Sequence, residues 1–195
     1  MSDARAVDAV AIGASTGGVE ALTRILPALP GDLAASVFVV LHLPRDRVSL
    51  LADIFAPRCR LPVREVHDKD PVVRGTLYVA PPDYHLLLDD GPQLALSADE
   101  PVEFSRPSIS VLFESAAVVY RERLLAVLLT GAGSDGAAGM QAVHAAGGIT
   151  VVQHPADARM PQMPQAALGR MTADHVLTLD EIMNLFEALP RMVHV

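Results

Sequence analysis

Gly13-Ala14-Ser15-Thr16-Gly17-Gly18 follows directly on the apolar run Val7-Asp8-Ala9-Val10-Ala11-Ile12. The run reads as a short buried strand, and Val19, Leu22, Ile25, Leu26 and Leu29 recur at helical spacing after the turn. The glycine-rich turn thus joins strand to helix and seats Ser15 near a helix N-terminus. Unpaired backbone N–H groups and the positive end of the helix dipole favour negative charge there, whether a phosphate or the oxyanion of a tetrahedral intermediate. Three uses of the turn stay open on this fragment: a Ser/Thr N-cap, a phosphate cradle, or the seat of a nucleophile. It lacks the GxGxxG spacing of a dinucleotide turn and has no Gly-Lys-Ser/Thr. Gly13, Ser15 and Gly17 do fit the GxSxG spacing of a nucleophile elbow, in the strand-to-helix context that motif needs.

At 195 residues the chain suits one domain, read as 1–195, with a substantial core. Although 51% of the residues are hydrophobic, no uncharged apolar stretch reaches the roughly 18 residues that cross a bilayer, and no signal peptide opens the sequence. The expectation is a cytoplasmic protein with no direct membrane insertion. The single cysteine, Cys59, excludes an internal disulfide and a thiolate cluster for zinc, and reads as a packing residue. A net charge of −8 with three tyrosines and no tryptophan argues against a nucleic-acid or anionic-membrane surface. Proteins or small molecules are the expected partners.

Beyond the first helix, Pro30-Gly31-Asp32 breaks the pattern and Ser36 to Leu41 gives a second buried strand ending at His42-Leu43-Pro44. Val48, Leu50, Leu51, Ile54 and Phe55 outline a short helix, Leu61 to Val66 a modest strand and Thr76 to Ala80 a clearer one. His85 to Leu88 and Gln93 to Leu96 flank Asp89-Asp90-Gly91-Pro92, which reads as a hairpin turn. Pro107 and Ser108 open a helix with Ile109, Leu112, Phe113, Ala116 and Val119 on one face. Leu124 to Leu129 is another apolar strand, followed by the turn Thr130 to Gly136 and a helix through Met140, Val143 and His144 that Gly147-Gly148 stops. Ile149 to Val152 and His175 to Leu177 are strands, and Glu181 to Leu189 is a final helix. Strands alternating with helices, most of them near-continuous apolar runs, predict an α/β three-layer doubly wound sandwich: a mostly parallel sheet with an inserted antiparallel hairpin.

In such a sheet, ligands sit outside the carboxyl ends of the strands, at a switch in strand order. Ser15 follows the first strand, His42 ends the second, and Asp135 lies in the turn after Leu124 to Leu129, so all three should face one edge. A serine hydroxyl needs a base, an imidazole needs an acceptor on its other nitrogen to fix its tautomer, and a carboxylate supplies that acceptor. Taken singly, His42 reads more readily as a structural histidine and Asp135 as a helix cap. Together they favour a hydrolase with Ser15, His42 and Asp135 as catalytic residues. Their chain order, Ser then His then Asp, differs from that of the α/β-hydrolases and of the two familiar protease lineages.

The stretch Gly13 to Gly18, the strand ending at His42-Leu43-Pro44, Leu129-Thr130-Gly131-Ala132-Gly133-Ser134-Asp135-Gly136-Ala137-Ala138-Gly139 and Arg106-Pro107-Ser108 together resemble the catalytic domain of the chemotaxis protein-glutamate methylesterases, the CheB family. Ala80-Pro81-Pro82-Asp83-Tyr84-His85 and Met163-Pro164-Gln165-Ala166-Ala167 are similar to further landmarks of that family. The resemblance implies hydrolysis of glutamyl methyl esters on chemoreceptor helices with release of methanol, together with deamidation of receptor glutamines. It casts Ser15 as nucleophile, His42 as general base and acid, and Asp135 as the residue orienting His42, with no metal or organic cofactor. Backbone N–H groups of the Ser15 turn, Gly17 included, or of Ala132, aided by the Thr16 hydroxyl, are candidate oxyanion donors or rim contacts. Three departures bear on the rim: Leu41-His42-Leu43-Pro44 replaces the family's Gln-His-Met-Pro, Ala132 a methionine and Ser110 an aspartate. Members often carry an N-terminal receiver domain, whereas this sequence begins a few residues before its first strand. No receiver domain is therefore expected within the sequence: it is either an excised catalytic domain or a free-standing one regulated by a separate protein, with the methylated receptor as substrate partner. A non-catalytic module that docks on receptor or signalling proteins is the alternative.

Weaker signals surround these. His85 and Asp83 read as parts of a solvated loop near the site, and His154, Asp157 and Met160 as a substrate rim without a fuller metal-ligand set. His67, His144, His175 and His194 read as surface or packing residues, and Met163-Pro164 as core that shapes the cleft.

Overall fold

Two strands buried along their whole length, β1 (Ala9–Ala14) and β2 (Ser36–Leu41), pair in parallel at the heart of the sheet. The computed structural model describes residues 6–42, 49–89 and 93–190. β3 (Val63–Glu65), β4 (Leu77–Val79), β7 (Leu124–Leu128), β8 (Ile149–Gln153) and β9 (His175–Leu177) complete a seven-stranded sheet of order β3-β4-β2-β1-β7-β8-β9. Every pairing in it is parallel, so "mostly parallel" becomes wholly parallel for the main sheet. β5 (His85–Leu88) and β6 (Leu94–Ser97) form the expected antiparallel hairpin as a separate two-stranded sheet. Residues 90–92 of its proposed turn lie outside the described residues, as do Leu43, Pro44, Val48 and His194.

The pleat sends alternate residues of each strand to opposite faces, and the sequence fills each face differently. Val10, Ile12, Val39 and Val127 meet α1 (Gly18–Ile25), α2 (Leu51–Phe55) and α6 (Leu179–Glu187) through Leu22, Ile25, Phe55, Ile182 and Phe186. Ala9, Ala11, Val40, Ala126 and Leu128 meet α3 (Ile109–Tyr120), α4 (Ala137–Ala145) and α5 (Gln162–Arg170) through Leu112, Phe113, Met140, Val143, Met163 and Ala167. Each fully buried Leu, Ile or Phe contributes about 1.5–3 kcal/mol. This is the three-layer sandwich expected from the apolar runs.

The differences are local. The helix α5 was not expected, because Pro161 and Pro164 and few buried positions obscure its period. Thr178 caps α6 with its hydroxyl while Glu181 reaches back to the Thr178 N–H, so the helix starts at Leu179 rather than Glu181. Neither Ser15 nor Thr16 caps α1: Gly17 holds the N-cap position at φ 83° without a side-chain cap, in the left-handed region that favours glycine. The simple cap reading of the turn thereby falls away. Because β2 and β7 lie on either side of β1, the order reverses there, and the crevice beyond the strand ends opens beside Ser15.

Candidate active site

Ser15 leaves the end of β1 with its backbone N–H donating to the Thr130 carbonyl at 2.9 Å, which ties the turn to the end of β7. The Thr130 hydroxyl donates to the Thr16 carbonyl at 2.9 Å and holds the plane of the Thr16–Gly17 peptide. Gly131 packs so close that a Cβ there would stand 3.0 Å from the Ser15 Cβ and 2.5 Å from the Met163 Cε. The backbone of one turn thus forms the wall behind the hydroxyl of the other.

The structure brings the three expected residues together. His42 Nδ1 lies 3.1 Å from Ser15 Oγ, and His42 Nε2 lies 2.8 Å from Asp135 Oδ2. An ionised carboxylate only accepts, so Nε2 carries the proton and Nδ1 is left to accept the Ser15 O–H. The ring therefore uses its nitrogens in the opposite sense to the familiar serine-protease arrangement, where Nε2 faces serine. Ser105 Oγ stands 3.4 Å from the same Nδ1.

Asp135 is 2% exposed and takes five donors. Oδ1 accepts from the Ser108 hydroxyl at 2.8 Å, the Ser110 N–H at 3.0 Å and its neighbour Gly136 N–H at 2.8 Å. Oδ2 accepts from His42 and from the Ile109 N–H at 2.7 Å. Burial alone raises the pKa of this carboxyl; the bond from His42 and the backbone bonds from Ser110 and Ile109 outweigh it and hold it below its ordinary value. The first N–H groups of α3 are among these donors, so one helix N-terminus stabilises the charge while Ser108 caps it.

Sequence reasoning misjudged His85. It opens β5 rather than a solvated loop, is 2% exposed, accepts the Ser108 N–H on Nδ1 at 3.1 Å and donates from Nε2 to the Glu100 carbonyl at 3.1 Å. The imidazole braces the residue whose hydroxyl holds Asp135. Asp83 grips the Arg106 guanidinium at 2.7 and 3.1 Å. Ser110, where an aspartate was the usual family residue, accepts the Gly136 N–H at 2.9 Å and so supports the Asp135 turn.

Thr16 and Ala132 are exposed and Gly17 half-buried beside Ser15. Among the described residues no backbone carbonyl takes their N–H groups, whereas that of Gly131 is used by the Met160 carbonyl at 3.0 Å. A cleft of about 340 Å³ in front of Ser15 and His42 is lined by Gly17, Gly18, Val19, Glu20, Leu41 and Arg159. Arg159, which the sequence reading passed over, reaches it from the loop after β8. Asp157 pins that loop, accepting from Gln153 Nε2 at 2.8 Å and the Leu179 N–H at 3.0 Å, and remains exposed beside Arg159. His154 Nδ1 accepts the Ala156 N–H in the same loop, and the backbone of Met160 bonds to Thr130 and Gly131 beside Ser15. His67, His144 and His175 are exposed, and Met163 is buried core against Gly131. Burial pushes the Cys59 thiol up to about 11, so it remains protonated at neutral pH and packs against the core. Among the described residues no three His, Cys, Asp or Glu side chains cluster as metal ligands, and no helix is long and apolar enough to cross a membrane.

A wholly parallel α/β sheet with a hydroxyl, an imidazole and a carboxylate hydrogen-bonded in series at its switch point defines a class, the parallel α/β proteins with a Ser-His-Asp line at their strand ends. Within that class the chain belongs to the CheB methylesterase family, whose model matches residues 10–186. A Leptospira interrogans protein provisionally named protein-glutamate methylesterase/protein-glutamine glutaminase is 40% identical over 179 residues, 92% of this chain and 93% of that protein. The protein of the same name from Symbiobacterium thermophilum is 41% identical over 173 residues, covering 89% of this chain and 48% of its own length. The crystal structure of the Thermotoga maritima CheB methylesterase catalytic domain superposes with a TM-score of 0.85 at 30% identity, covering 92% of this chain and 99% of that one.

Proposed function

We propose that this chain is a serine hydrolase that removes methyl esters from glutamate side chains of chemoreceptors, releasing methanol, and deamidates receptor glutamines. Its expected setting is the cytoplasm, in chemotaxis adaptation. The hydrogen-bonded line from Ser15 Oγ through His42 Nδ1 and Nε2 to Asp135 Oδ2 carries the reading. Ser15 Oγ attacks the ester carbonyl carbon while its proton moves to His42 Nδ1. The negative charge that develops on the carbonyl oxygen is met by N–H groups of Thr16, Gly17 or Ala132, a kind of donor worth about 3 kcal/mol. The C–O bond then breaks, Nδ1 returns the proton to the departing methoxide, and methanol leaves an acyl-enzyme. Water attacks that acyl group, gives a proton to Nδ1, and the glutamate carboxyl departs as the proton returns to Ser15 Oγ. On a glutamine the same steps release ammonia. Asp135 remains ionised throughout and stabilises the imidazolium that forms at each transfer.

Methanol release from methylated receptor membranes tests the assignment. The chain should release methanol and Ser15→Ala should not. Equal release by both would remove Ser15 from the mechanism, and release by neither would favour a docking module.

A further inference from the structure

Val102 and Ser105 close a tight turn through paired backbone bonds of 3.1 and 2.9 Å, with Glu103 and Phe104 at its tip. Both tip residues have positive φ, 49° and 64°, a region that turns of this kind normally fill with Asn or Gly. For a bulky side chain such a backbone is strained, and Phe104 is moreover 97% exposed. A single exposed apolar residue is ordinary; one held out on a strained backbone is a signal.

The turn is also fixed in place against the site. Ser105 Oγ is 3.4 Å from His42 Nδ1, the nitrogen that faces Ser15. Glu103 accepts the Ser134 hydroxyl, one residue before Asp135. Arg106 anchors the following step on Asp83 and on the carbonyls of Ala98 and Asp99 at 2.7 and 3.0 Å. Phe104 is therefore a rigid apolar projection one residue from Ser105, whose hydroxyl reaches His42, and Val19, 42% exposed, is an apolar side chain of the cleft itself.

We infer that Phe104 is a specificity-determining residue that contacts an apolar side chain of the receptor helix one turn from the esterified glutamate. The inference rests on the methylesterase reading above. For its carbonyl carbon to come within about 3–3.5 Å of Ser15 Oγ, the glutamate must extend into the cleft, which leaves the helix on the rim. Side chains three or four positions away lie about 5–6 Å along that helix. The methyl ester is itself uncharged, so the Arg159 and Glu20 charges of the cleft do not select it, and an apolar contact at the rim can.

Two variants test this against methylated receptor and a small aryl acetate. Asparagine accepts positive φ, so Phe104→Asn should keep or raise the melting temperature while removing the phenyl group. The ratio of receptor to aryl-acetate kcat/KM should fall about tenfold, through KM, and Phe104→Leu should restore most of it. A ratio within twofold of the parent in Phe104→Asn, or an equal fall on both substrates, overturns the role. Absence of methanol release from the unaltered chain overturns the methylesterase reading and this role with it, and is distinct from a silent Phe104.

Discussion

Replacing Asp135 by asparagine changes one oxygen to an amide nitrogen, and the surroundings decide which. Three donors point at Oδ1, those of Ser108, Ser110 and Gly136, while two point at Oδ2, those of His42 and Ile109. The amide oxygen therefore keeps the Oδ1 position and the NH2 group takes the other. There it faces the Ile109 N–H, leaving a buried donor unsatisfied, which with the loss of charge on the remaining bonds costs about 2–4 kcal/mol of stability. Towards His42 the NH2 group donates to Nε2, and the ring proton moves to Nδ1. That nitrogen then has no lone pair for the Ser15 proton. A wrong tautomer of this sort costs about 10⁴-fold in rate, or about 5.5 kcal/mol of transition-state stabilisation. Initial rates of methanol release would measure the loss, circular dichroism below the melting transition would establish that the variant is folded, and nitrogen NMR of labelled histidine would locate the proton. An Asp135→Asn protein within tenfold of the parent rate, or a slow one whose Nδ1 stays unprotonated, would refute the reasoning.

Two further outcomes follow from the same contacts. Gly131→Ala would set a Cβ 2.5 Å from the Met163 Cε and 3.0 Å from the Ser15 Cβ. It should cost about 1–3 kcal/mol in urea unfolding and displace Ser15; adding Met163→Ala should relieve the clash with the thioether without restoring methanol release, and recovery of both would locate the rate defect at Met163. Acid should destabilise the chain through Asp135. Its carboxyl is held below its ordinary value when folded, so the unfolded chain binds the proton first. The stabilisation is fully present above the unfolded value of about 3.9 and is lost as pH falls through the lower folded one. The unfolding free energy measured in urea should fall more between pH 6 and pH 3 for the parent than for Asp135→Asn, and an equal fall would exclude the linkage.

The sheet was legible because a parallel sheet covered on both faces forces its central strands into unbroken apolar runs, as in Ser36 to Leu41 and Leu124 to Leu128. The meeting of Ser15, His42 and Asp135 was legible for a related reason, since each closes a strand or follows one at the same sheet edge. What lay hidden depends on three-dimensional partners. Nothing local marks His85 as buried, because its donor partner, the Ser108 N–H, and its acceptor partner, the Glu100 carbonyl, lie 23 and 15 residues away. Which ring nitrogen faces Ser15 depends on how the end of β2 approaches β1. The turn at Glu103 and Phe104 escapes composition altogether, because neither residue type favours the backbone it adopts. Helix α5 was missed where two prolines and sparse buried positions leave little period to detect.

The span of sequence across the site carries a consequence for synthesis. Ser15 and His42 are made before the acid that orients the imidazole, which is 93 residues beyond His42, and its cradle at Ser108 to Ser110 comes 25 to 27 residues before it. Chains grow from the N-terminus at about 5–20 residues per second. A nascent chain thus exposes its hydroxyl for several seconds with no correctly poised base, and is chemically silent until β7 and its turn have been made and docked. The site is therefore assembled only once β7 has paired with β1 and the turn after it has brought Asp135 to His42.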